Sequence, residues 1–278
     1  MNKTVNYIDL SVPIDVKMWE PNHLERKIID HRKGANLLGK TVISMKGTNF
    51  VLKAIELIKN KLGLGLNYND FPDKKGLSLF FYKLTTHTGT HMDAPFHFGD
   101  KTSLGKKAKT ITDIPLKWCF GNGVLLDLYT DSSSGPVSKK EIITKLKEIN
   151  YDIKPFDIVF LRTEGDKYIG EPRYFSDFRG VSPEAAEYLI DKGVKIIGVD
   201  SFSFDPPFQV MIGKYLKEKK KKYLWPAHFL GRTKEYCHIE RLCNLDKIKN
   251  PFGFKVSCFP IKLLDSDASW CRVVAIED

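Results

Sequence analysis

The stretch His87-Thr-Gly-Thr-His91-Met-Asp93-Ala-Pro-Phe-His97 carries three histidines and an aspartate, in a chain with 7 His in all. The spacing is H-x3-H-x-D-x3-H. Imidazole nitrogens and carboxylate oxygens suit Zn or Mn. His87, His91 and Asp93 form a set of two nitrogens and one oxygen, which leaves room on an ion for water. Zn held in this way lowers the pKa of that water toward ~7, so hydroxide becomes available at neutral pH. His97 is then free for general acid–base work, with an unperturbed pKa of about 6.5.

These side chains act together only if the backbone lets them converge. A helix would bring His87 and His91 to one side but turn Asp93 away, and Gly89 and Pro95 argue against a helix here. In an extended chain 87, 91, 93 and 97 all face one way, but a straight strand would spread them over about 33 Å. The segment must curl. Gly89 and Pro95 are placed to allow it, so a strand ending near His87 and then a compact loop around an ion are expected.

Strand-like apolar runs recur at Tyr7–Ile14, Leu79–Thr86, Gly123–Leu128, Asp157–Thr163, Val194–Asp200, Lys255–Leu263 and Arg272–Ile276. Several are continuously apolar, as strands covered on both faces are. Ser138-Lys-Lys-Glu141 is a capping box that opens a helix. Ser182-Pro183 opens another, which Gly193 stops. Alternating strand and helix from 123 to 200 reads as an α/β unit with parallel pairing. Asn49–Leu62 reads as an amphipathic helix that packs on the body, with a lid or dimer element as the alternative.

With 278 residues, 42% of them hydrophobic and 28% charged, the chain has the composition of a globular protein able to bury a sizeable core. No apolar run is long enough to span a membrane, and the first residues show no secretory pattern. Five cysteines without a C-x-x-C pair read as free thiols in a reducing cytoplasm. The net charge is +10, with a block of lysines in Lys217-Glu-Lys-Lys-Lys-Lys222. That block reads as a solvated loop, or as a docking patch for an acidic partner. No aromatic-rich basic motif accompanies it, which argues against a nucleic-acid-binding module.

The segment HTGTHMDAPFH resembles the signature of the metal-dependent cyclase superfamily, which includes the kynurenine formamidases. YIDLSVPI with Trp19, DIVFLRT, VSPEAAEYLIDKGVKIIGVDSFSFDP and PAHFLGRTKEYCHIERLCNLDKI extend the resemblance over most of the chain. It implies a single α/β domain over 1–278, of the swivelling β/α/β type with a mixed, partly parallel sheet. It also implies a homo-oligomer, dimeric or larger, with one or two Zn ions, or Mn, per chain. His87, His91 and Asp93 would hold the first ion, His228 the second, and Glu240 with Asp93 would bridge them. His97 would carry protons and Trp19 would stack on substrate. Two stretches are longer than the family pattern leads one to expect, and appear as a helical insertion around 30–75 and a basic loop around 210–224.

The activity expected is hydrolysis of a small amide, ester or lactam bond. The alternative is a cyclase that tailors a polyketide-like intermediate on an acidic carrier protein, with the lysine block as its landing site.

Overall fold

The computed structural model describes residues 4–46, 48–130 and 135–277. Along these residues run β1 (Asn6–Asp9), β2 (Glu25–Ile29), α1 (His31–Ser44), α2 (Phe50–Lys61), β3 (Leu79–Lys83), β4 (His91–Asp93) and α3 (Pro95–Phe98). There follow β5 (Phe120–Asp127), α4 (Lys139–Glu148), β6 (Ile158–Arg162), α5 (Pro183–Asp191), β7 (Ile196–Val199), α6 (Phe208–Glu218) and α7 (Pro226–Leu230). The chain closes with β8 (Cys237–Glu240), β9 (Phe252–Ser257), β10 (Ala268–Trp270) and β11 (Val274–Glu277). Two compact units emerge: Met1–Pro21 with Thr85–Asp278, and Asn22–Leu84.

The first unit is built on a nine-stranded mixed sheet in the order β1-β11-β9-β5-β6-β7-β8-β4-β10. The pairs β5–β6, β6–β7 and β7–β8 are parallel, and the outer pairs are antiparallel. The buried parts of the central strands, Val124–Leu126, Ile158–Leu161 and Ile196–Val199, are apolar because both faces are covered. Val124, Leu126, Val159, Leu161 and Ile197 pack beneath α4 and α5. Their neighbours Leu125, Ile158, Phe160 and Ile196 enter a second core with Trp118, Phe254 and Val256. Both expected helix starts are present: the Ser138–Glu141 capping box opens α4, and the Ser182 hydroxyl caps α5 ahead of Pro183.

The second unit pairs β2 with β3 in an antiparallel ribbon and carries α1 and α2. Asn49 caps α2 as its sequence predicts. None of its residues is buried. The whole length of β3 is likewise exposed.

Three expectations are corrected. The run Tyr7–Ile14 forms a strand only over Asn6–Asp9, and Lys255–Leu263 shifts to Phe252–Ser257, since Pro260 has no N–H to give a ladder. Most of the basic loop is helix α6: Phe208, Met211 and Tyr215 recur at helical spacing, and Met211 is buried. The helix ends at Lys219, which adopts a left-handed φ of 54°, so only the last lysines lie beyond it. All five cysteines are free, and all but Cys243 are buried.

Candidate metal centre

The motif curls, though not as a loop. Gly89 turns the chain with a φ of +64°, the left-handed region that glycine enters without strain. After the turn, His91–Asp93 forms the short strand β4 instead of the expected loop, next to the sheet's edge and paired on one side with β8 and on the other with β10. A three-residue strand is too short to show a period in sequence. Pro95 then starts α3, whose single turn returns His97 toward the strand.

Register places the remaining groups. His91 sits opposite Glu240, and Asp93 opposite His238. Met92 and Ile239 point into one core, so alternation sends His91, Asp93, His238 and Glu240 together to the other face. His228 arrives from α7. Asp205 accepts hydrogen bonds from the first amides of that helix, Ala227 N at 2.8 Å and His228 N at 3.0 Å, and from His228 Nδ1 at 2.6 Å.

Each of four imidazoles has one nitrogen occupied from outside and the other aimed inward. His87 Nε2 donates to Asp267 (2.9 Å), His91 Nδ1 to the Gly89 carbonyl (2.9 Å), His228 Nδ1 to Asp205, and His238 Nδ1 to the Tyr236 hydroxyl (3.4 Å). Inward, His87 Nδ1 lies 3.0 Å and His91 Nε2 3.4 Å from Asp93 Oδ1. On the other oxygen, His228 Nε2 lies 3.8 Å and His238 Nε2 2.9 Å from Asp93 Oδ2. Glu240 divides likewise, with Oε2 3.6 Å from His91 and Oε1 3.7 Å from His228. The two carboxylates thus separate two groups of donors.

These residues fit divalent cations. His91 Nε2 is buried without a hydrogen bond, 3.4 Å from Asp93 Oδ1 and 3.6 Å from Glu240 Oε2. Such an orphan is costly unless something else, such as an ion, satisfies it. Imidazoles held from behind by carboxylates or carbonyls are the usual surroundings of metal ligands.

The electrostatics agree. Burial works against charge on His87, yet Asp93 and Asp267 raise its pKa to about 10. Burial lowers His91 to about 4, with Asp93 and Glu240 opposing. Asp93 is driven well below the carboxylate range despite its burial, by His97, His91 and His87. Burial would raise Glu240, but His238 brings it down to about 2. Hydrogen bonds from His87 and His97 hold Asp267 below its ordinary value.

Every site residue expected from sequence in this region converges: His87, His91, Asp93, His97, His228 and Glu240. His97 keeps a partly exposed ring, with Nδ1 3.3 Å from Asp267 and Nε2 3.8 Å from Asp93 Oδ2. Trp19 is exposed and lies 6.0 Å from Phe175, which in turn meets Phe202 edge-on. Arg241, adjacent to Glu240, stacks over Phe202 and binds Glu20. Sequence reasoning misses His238, Asp205 and Asp267. The signal for His238 is H-x-E in Cys237-His238-Ile239-Glu240, where a strand puts both on one face. Asp205 and Asp267 leave no signal.

The family described as "Putative cyclase" matches residues 8–206. A kynurenine formamidase of Bacillus cereus (strain ATCC 10987 / NRS 248) is 30% identical over 210 residues, 73% of this chain and 83% of that protein. One from Bacillus cytotoxicus (strain DSM 22905 / CIP 110041 / 391-98 / NVH 391-98) is 32% identical over 192 residues, covering 69% and 76%. Among solved structures, an isatin hydrolase bound to the product analogue thioisatinate superposes with a TM-score of 0.69 at 18% identity, covering 98% of this chain and 92% of that one. The structure titled as a potential metal-dependent hydrolase with cyclase activity gives 0.60 at 19% identity, covering 99% of each chain. At these identities the two structures speak for the fold.

Proposed function

This chain belongs to the cyclase family that includes the kynurenine formamidases, and on that basis we propose that it is a metal-dependent hydrolase of a small amide, with N-formylkynurenine the first substrate to test. The observation that carries this reading is the set of four imidazoles, each held from behind and aimed at Asp93, three of them also at Glu240. The relatives named above are formamidases, which favours hydrolysis over cyclisation on a carrier protein.

His87, His91 and Asp93 would hold one Zn or Mn ion, and His228 with Asp93 and Glu240 a second. When bound, metal at this centre would supply Lewis acidity toward the carbonyl oxygen and acidify water. His97 takes a proton from the attacking water as its oxygen bonds to the carbonyl carbon. As the C–N bond breaks, His97 Nε2 returns the proton to the leaving nitrogen. Asp267 orients His97 through Nδ1. Trp19, with Phe175 and Phe202, offers an aromatic surface for the substrate's ring.

The chain works as a homodimer or larger assembly in the cytoplasm. Exposed Phe50, Val51 and Ile58 on α2 support assembly, and free buried thiols support a reducing compartment. Among the described residues no helix is long and apolar enough to cross a membrane.

The test is formate release from N-formylkynurenine by protein as purified, stripped with chelator and reloaded with Zn or Mn. Activity that disappears on stripping and returns on reloading supports the reading. Stripped protein with full activity, or no turnover of any simple amide after reloading, overturns it.

A further inference from the structure

The second cation position described above has three donors: Asp93 Oδ2, His228 Nε2 and Glu240 Oε1. A fourth stands beside them. His238 Nε2 lies 2.9 Å from Asp93 Oδ2 and 3.5 Å from Glu240 Oε1. We propose that His238 is the fourth ligand of this position, closing it with protein atoms alone, so that its ion is retained while the first position exchanges. The inference rests on the two-cation reading above.

Geometry supports it first. Asp93, His228, His238 and Glu240 are all buried, and one donor atom from each lies within 4.8 Å of all the others. Metal–ligand bonds of about 2.0–2.1 Å put the donors of a tetrahedral site about 3.3 Å apart. The distances from the two imidazoles to the two carboxylates run from 2.9 to 3.8 Å, on both sides of that value. Two nitrogens and two oxygens are an ordinary donor set for Zn.

The His238 ring is also fixed in the right sense. The Tyr236 hydroxyl gives its hydrogen to the Ala227 carbonyl at 2.9 Å, which leaves oxygen lone pairs for His238 Nδ1–H at 3.4 Å. Nε2 then faces the two carboxylates. Phe204 stacks on the ring at 4.5 Å with only 5° between planes, so the imidazole is held against rotation. Nε2 lies 2.9 Å from Asp93 Oδ2.

The two positions differ in access. His87 belongs to the first, and its side chain is 29% exposed, close to the 31% of His97. All four ligands of the second are buried. Closed four-ligand sites are the structural kind, and sites with an open position the catalytic kind. The first ion therefore meets substrate, and the second fixes the two bridging carboxylates.

The test follows ions, not turnover. Wild-type protein loaded with zinc is titrated with a chromophoric chelator, with ions per chain measured by elemental analysis. Loss in two steps is expected, with one ion per chain surviving the first. In His238→Asn the surviving ion should bind more than about 100-fold more weakly, since even removal of outer partners costs about 10–100-fold. Retention of both ions at wild-type affinity overturns the inference. If that variant fails to fold, a crystal structure of the zinc-loaded wild type decides: Nε2 of His238 in the ion's coordination shell upholds the inference, and Nε2 outside it overturns it. Wild-type protein that binds no zinc would overturn the two-cation reading itself, a separate outcome.

Discussion

Nδ1 of His97 lies 3.3 Å from Oδ2 of Asp267, the same oxygen that accepts His87 Nε2–H at 2.9 Å. One carboxylate thus holds both the proposed proton carrier and a proposed ligand of the first ion. Thr86 Oγ1 secures its other oxygen at 3.1 Å. Replacing Asp267 by Asn keeps the shape but removes the charge. We expect kcat to fall about 10–100-fold, the usual cost of losing such an outer partner. The first ion should weaken in parallel. Kinetics and elemental analysis of the same preparation check this, and unchanged values in both would exclude the role.

His97 and His91 should separate cleanly. His97→Ala is expected to keep its ions and lose about 10²–10⁴-fold in turnover, as removal of a general acid–base group does. His91→Ala should lose the first ion and the activity together, because its Nε2 has no other partner. Loss of metal from His97→Ala would show that this residue is a ligand.

Cation uptake should depend on pH. In the metal-free protein burial opposes charge on both rings, but Asp93 and Asp267 keep His87 protonated up to about 10. Asp93 and Glu240 do the same for His238 up to about 9. Raised values mean that protons are bound at neutral pH and must leave as the ion enters. Affinity therefore rises with pH and falls in acid. Calorimetry in buffers of different protonation enthalpy, from about pH 6 to about pH 8, measures the protons released; none released would contradict the assignment of His87 and His238 as ligands.

At Gly89 a side chain meets two obstacles. The φ of +64° is unfavourable for any L-residue, and a Cβ would come within 3.2 Å of Ile14 Cγ1. Gly89→Ala is expected to cost about 1–2 kcal/mol from the backbone alone. It should also weaken zinc binding, because the Gly89 carbonyl aims His91. Denaturant unfolding and zinc titration read the two effects separately.

His87, His91, Asp93 and His97 are legible because one short motif contains them, and residue spacing alone requires that it curl. The central strands are legible because burial on both faces leaves an unbroken apolar run, as in Ile158–Leu161. His228 gains meaning only from the resemblance, since nothing local distinguishes it from a core histidine. Asp205 and Asp267 are placed by tertiary pairing: one by the start of α7, the other by the β4–β10 register. The exposed face of α2 shows the opposite limit. Its periodicity predicts a helix correctly, but periodicity alone does not say what an apolar stripe faces.

The pairing of β4 with β8 has a consequence for how the chain matures. Asp93 and His238 are 145 residues apart in sequence, yet directly opposed in the sheet. Contacts at such separation form late, after loop-closure entropy has been overcome. A slip of one residue would turn His238 and Glu240 into the opposite core and leave Asp93 and His91 facing Cys237 and Ile239. High-affinity uptake of an ion at the proposed centre would therefore report correct register. In refolding experiments, tight zinc capture should coincide with the slowest phase of sheet assembly, and capture ahead of that phase would show that the donors meet before the strands pair.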